Sequence, residues 1–159
     1  MHQLTAHFTL AEFERSSKAE QLGIDNKVPT MLLREALETA EMMERIREHL
    51  SALVNRPVPI NVSSGFRCLK LNRALGSDDT SDHVKMLAID WTAPSFGTPY
   101  DLCKALAPVV DQLGIGQLIH EYPNGKARAW VHVSSRKPAK AVNRVITVTP
   151  TGTLVGVQP

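Results

Sequence analysis

His83 and Asp90 stand seven positions apart in the stretch Ser81-Asp82-His83-Val84-Lys85-Met86-Leu87-Ala88-Ile89-Asp90, one in a turn-like segment and the other on a short apolar run. An imidazole and a carboxylate so placed can supply two ligands to one zinc ion. A third is available in His132, within Trp130-Val131-His132-Val133. Nitrogen and oxygen donors suit zinc, and no thiolate is offered. Three protein ligands would leave one position of a tetrahedral ion open to water, the arrangement of a hydrolytic rather than a structural site. Each histidine alone has a plainer reading, His83 as a turn residue bonded to Asp90 and His132 as a satisfied histidine on a strand.

The chain that must position these residues has 159 amino acids, 43% hydrophobic and 21% charged. It reads as one globular domain over 1–159 that can bury a core without staples. A formal net charge of +2 with Lys and Arg scattered along the chain is too small to argue for nucleic acid, and none is expected as a partner. No apolar run approaches the ~20 residues of a membrane span, so no membrane association is expected. The first residues, Met1-His2-Gln3-Leu4-Thr5-Ala6-His7, lack a basic region followed by an apolar one, and the expectation is synthesis in the cytoplasm without a signal peptide. Cys68 and Cys103 lie far apart in otherwise helical patterns and read as a reduced pair.

Elements follow from punctuation and period. Thr9 with Glu12 predicts a capping box for a short helix carrying Phe13 inward, followed by an ordered loop. From Met31 to about Leu53, Leu33, Ala36, Leu37, Ala40, Met43, Ile46, Leu50 and Leu53 recur at helical steps against a Glu-rich opposite face. Ile60 to Ser63 reads as a strand, Cys68 to Leu75 as a short helix stopped by Gly76, and Ala88 to Trp91 as a minimal strand. Thr98, Pro99 and Asp101 supply cap, N1 proline and N3 acid for a helix from Pro99 to Leu113. Strands Gln117 to Tyr122 and Ala127 to Ser134 flank a turn at Pro123-Asn124-Gly125, and a hairpin within about 143–157 looks like an edge addition. The fold class is α+β: a small, mostly antiparallel sheet with helices packed on one side.

Taken together, Ser81-x-His83 with Ala88-x-Asp90, the earlier Ser64-Gly65-Phe66-Arg67 and the late Trp130-Val131-His132-Val133-Ser134 resemble the zinc D-alanyl-D-alanine carboxypeptidases and related peptidoglycan endopeptidases. That superfamily includes vancomycin-resistance dipeptidases, phage lysins and, distantly, the Hedgehog signalling domain. Phe8 to Pro29 and Leu118-Ile119-His120-Glu121 look like its short, phage-associated branch. The resemblance implies a Hedgehog/D,D-peptidase-like fold with His83, Asp90 and His132 as zinc ligands. Arg67 would stabilise the oxyanion and Ser81 would lie beside the substrate; alternatives are an ion pair of Arg67 with Asp78 or Asp79, and a cap for Ser81. It implies hydrolysis of a peptide bond in the peptidoglycan stem peptide or cross-link. A monomer acting on that peptide is expected, reaching the cell wall after release or as part of a virion. The alternative is a non-catalytic zinc-containing cell-wall-binding or phage tail module.

The family often places a Glu or His two or three residues before the last ligand, where this chain has Trp130 and Ala129. The other acids between Asp90 and His132 are Asp101 and Asp111, on the predicted helix, and Glu121. Glu121 is therefore assigned as the general base. A four-residue turn at Pro123 to Lys126 would pair Glu121 with Arg128, leaving it four positions from His132, roughly 13 Å at strand rise. A cross-strand ion pair with Arg128 is the competing reading. Met86 stands where the family pattern usually has glycine, with an expected effect on the loop beside His83.

Overall fold

The computed structural model describes residues 2–123 and 128–159; Asn124 and Gly125 of the predicted turn, with Lys126 and Ala127, lie outside the described residues. Thr9 opens α1 (Leu10–Glu14) with both halves of the expected capping box, and Phe13 is fully buried. The loop expected next is instead partly helical. Ser16 caps α2 (Ser17–Leu22), which ends at Gly23 in the left-handed region. Ala19 is the one buried residue of α2, so no apolar stripe reveals it in the sequence.

A 3-10 turn at Thr30–Leu32 leads into α3 (Leu33–Val54), whose buried side chains are Ala36, Thr39, Ala40, Met42, Met43, Ile46 and Leu50. Leu37 and Leu53, which periodicity assigns to the core, are 40% and 56% exposed. Leu37 points about 100° away from Ala36 around the helix, and Leu53 lies in its last turn. Strand β1 (Asn61–Ser64) precedes α4 (Leu69–Ala74), and β2 (Ala88–Thr92) follows a 3-10 turn at Asp82–Lys85. The predicted helix over 99–113 is broken by Pro108, which cannot supply an internal N–H. It becomes α5 (Pro99–Leu106), a 3-10 turn and α6 (Val110–Leu113).

Strands β3 (Gln117–Glu121), β4 (Trp130–Ser134), β5 (Val145–Thr149) and β6 (Gly152–Val155) complete a six-stranded open sheet in the order β1-β2-β4-β3-β5-β6. All pairings are antiparallel except β3 with β5. The α+β expectation therefore holds, with the C-terminal hairpin added at the β3 edge. Ile89, Trp91, Leu118, Val131 and Val133 share one core with the apolar faces of α3, α5 and α6. Strand alternation then sends Asp90, Glu121 and His132 to the opposite face. A register shift between Val62 and Ser64 bends β1 beside Asp90.

Met86 ends the 3-10 turn in the left-handed region, with φ 58°. That conformation favours glycine, since a side chain costs about 1–2 kcal/mol in it. The Met86 side chain does not enter the cleft beside His83. It is fully buried in the helix-covered core, and its carbonyl accepts from Thr39 Oγ1 at 2.7 Å. Losing a buried methionine costs roughly 2–5 kcal/mol, more than the strain relieved. Met86→Gly should therefore unfold at lower urea concentration, with a net loss of about 2–3 kcal/mol; a stabilised variant would show that strain outweighs burial.

Candidate metal centre

Asp90 and His132 are direct cross-strand partners on β2 and β4, so the sheet itself holds their side chains together. His83 arrives from the 3-10 turn, and its own N–H donates to Ser81 Oγ at 3.4 Å. His83 Nδ1 lies 2.7 Å from the Gly65 carbonyl. A carbonyl only accepts, so Nδ1 donates and Nε2 is left facing the cleft. Nε2 is 3.2 Å from Asp90 Oδ2, while His132 Nδ1 is 2.8 Å from Asp90 Oδ1. The two rings meet edge to face with centroids 5.2 Å apart.

One donor atom from each of His83, Asp90 and His132 falls within 4.8 Å of the others. Donors on one tetrahedral zinc at ~2.0–2.2 Å are separated by about 3.3–3.6 Å, so the trio fits with small movements. The tautomer also favours a cation. A lone pair on Nε2 and a carboxylate oxygen at 3.2 Å repel unless a proton or a metal ion stands between them.

Burial alone would push the Asp90 carboxyl up, but the adjacent His83 and His132 rings hold it far below the ordinary carboxylate range. For His132 burial opposes the charge, yet the hydrogen bond and charge of Asp90 outweigh it and raise its pKa. Arg67 also turns onto Asp90, Nη2 donating to Oδ2 at 2.7 Å and Nε to Ser64 Oγ at 2.9 Å. The alternative partners of Arg67 are engaged elsewhere: Asp79 pairs with Arg73, and Asp78 accepts from Thr80.

Glu121 is opposite Trp130, not Arg128. The connection is wider than the predicted four residues, and Glu121 is two positions from the level of His132, about 7 Å at strand rise. An even shift keeps it on the same face. Arg67, Ser81, His83, Asp90, Glu121 and His132 all line one cleft of about 490 Å³. Burial pushes the Glu121 carboxyl up to about 7, with Asp90 acting in the same direction and His132 and Arg67 opposing. The rival acids are occupied away from the cleft: Asp101 caps α5 through Thr98, and Asp111 pairs with Arg144. Tyr122 stacks on Trp130 at 5.4 Å between centroids, forming an aromatic wall that sequence spacing does not reveal. Gly65 is likewise missed as the residue that orients His83, although it stands inside a quoted motif.

A family model described as Peptidase M15 matches residues 6–134. No curated protein matches the chain.

Two outcomes follow from the charge state of the cleft. His132, protonated below its raised pKa, must lose that proton to ligate a metal. Zinc affinity should therefore rise with pH, and calorimetry near pH 6 in buffers of different ionisation enthalpy should show release of about one proton per ion; no release would remove His132 from the ligand set. In the metal-free protein the raised Glu121 favours the protonated folded state, so stability falls as pH rises from the unfolded value through about 7. Glu121→Gln should match wild type below about pH 4 and exceed it by on the order of 1–2 kcal/mol at pH 8 in urea titrations, after allowance for solvent screening.

Proposed function

The chain belongs to the Peptidase M15 family, and from that premise we propose that it is a zinc metallopeptidase hydrolysing a peptide bond in the peptidoglycan stem peptide or cross-link. The observation that carries this reading is the convergence of His83 and His132 on one buried carboxylate, Asp90, in a cleft shared with Arg67 and Glu121.

His83, Asp90 and His132 hold the zinc. When bound, the ion supplies Lewis-acid polarisation of the scissile carbonyl and acidifies water. Glu121 takes the proton from the attacking water and returns it to the leaving amine, a role its place in the same cleft allows. Arg67 has five N–H donors. With Nε on Ser64 and one Nη2 hydrogen on Asp90, its remaining donors are available to the oxyanion that forms on the substrate. Ser81 lies in the same cleft, and its hydroxyl can donate to substrate while accepting from the His83 N–H. The Tyr122–Trp130 stack gives the peptide a flat apolar wall.

The single domain acts as a monomer, as a phage or prophage lytic enzyme of D,D-carboxypeptidase or endopeptidase type. Among the described residues no helix is long and apolar enough to cross a membrane. Purified murein tests the reading through release of new amino groups. Wild type with zinc should cleave; His83→Ala should lose both zinc and activity. Glu121→Gln should keep zinc and lose at least ~10²-fold in kcat. Wild type that binds zinc fully and releases no amine would sink the proposal.

A further inference from the structure

Asn26 is buried at 6% exposure although it lies in the loop between α2 and α3. Its carboxamide makes three hydrogen bonds. Nδ2 donates to the Glu14 carbonyl at 2.9 Å and to the Phe66 carbonyl at 2.9 Å, and Oδ1 accepts from the Cys68 N–H at 2.8 Å. The Phe66 carbonyl and the Cys68 N–H are the backbone groups immediately flanking Arg67. The amide of Arg67 itself donates to the His83 carbonyl at 3.2 Å, and Phe66 N–H donates to the Phe13 carbonyl at 2.7 Å. Gly65 completes the contact: a Cβ there would lie 2.7 Å from the Phe13 carbonyl oxygen.

We propose that Asn26 is a positioning residue for Arg67, gripping the backbone on both sides of it so that the guanidinium stays on the floor of the cleft. The carboxamide supplies two donated hydrogen bonds and one accepted bond at these points. An aspartate of the same shape keeps the Cys68 bond but faces two carbonyls with a carboxylate, and alanine removes the side-chain partner of three backbone groups, the Phe66 carbonyl being buried. Tying a loop on which one arginine acts to a separate N-terminal segment matters because small displacements of a positioned group are costly: ~1 Å can cost about 10²-fold in rate. The inference takes the task of Arg67 from the peptidase reading, but its geometry stands independently of it.

Two measurements on the full chain separate these layers. In the ¹⁵N spectrum of metal-free protein, the Arg67 Nε–H held by Ser64 should give a slowly exchanging signal that is lost in both Asn26→Ala and Asn26→Asp, with β2 and β4 amides unmoved. In zinc-loaded protein, Asn26→Ala should lower kcat by about 10²-fold with KM within ~3-fold, yet by less than ~3-fold in an Arg67→Ala background, because the two act as one unit. Should Asn26→Ala fail to fold, Asn26→Asp carries both measurements. An unchanged Nε signal, or equal losses in the two backgrounds, overturns the proposal. If no variant, wild type included, cleaves murein, the peptidase reading fails while the Nε signal still decides the role of Asn26.

Discussion

A single buried carboxylate, Asp90, sets the terms for everything around it. A charge taken out of water is costly unless paired and hydrogen-bonded. Here Arg67, His83 and His132 all reach it. They come from the β1–α4 loop, the 3-10 turn and β4, three places separated in sequence, and the strand order that places β2 between β1 and β4 brings them to one point. Two imidazoles and one carboxylate so close together form a group able to hold a metal ion, and the same closeness depresses Asp90 while raising His132.

The second dependency is backbone rather than side chain. Loop 64–68 has its polar groups satisfied from two sides. Gly65 oxygen and Arg67 N–H bond to His83, whereas Phe66 and Cys68 bond to Phe13 and Asn26 of the N-terminal segment. The close approach at Phe13 leaves no room for a Cβ at position 65. The N-terminal segment thus buttresses the site, anchored by the buried Phe13 and the capped α1.

Glu121 illustrates how a local signal misleads. A Pro-Asn-Gly sequence invites a tight turn, and the register it implies strands Glu121 beside Arg128. The observed register, Glu121 opposite Trp130, differs by two residues. It brings the carboxylate toward His132 and into the cleft without changing its face. Met86 is the converse case. It occupies a left-handed position that favours glycine, yet its side chain joins the core instead of the cleft, so it bears on stability rather than on the site.

Sequence alone determined the α+β class, the capped starts of α1 and α5, the α3 stripe and the C-terminal edge hairpin, because caps, turns and hydrophobic period are encoded within a few residues. It also determined the donor types at 83, 90 and 132 and the order of the motifs that carry them. Only the tertiary structure decided the strand order that unites those donors, the Nδ1 bond that aims His83, the turn of Arg67 toward Asp90, the register of Glu121 and the bridging of Asn26. Each of these depends on backbone groups dozens of residues apart meeting at hydrogen-bond distance, and no spacing along the chain specifies such a meeting.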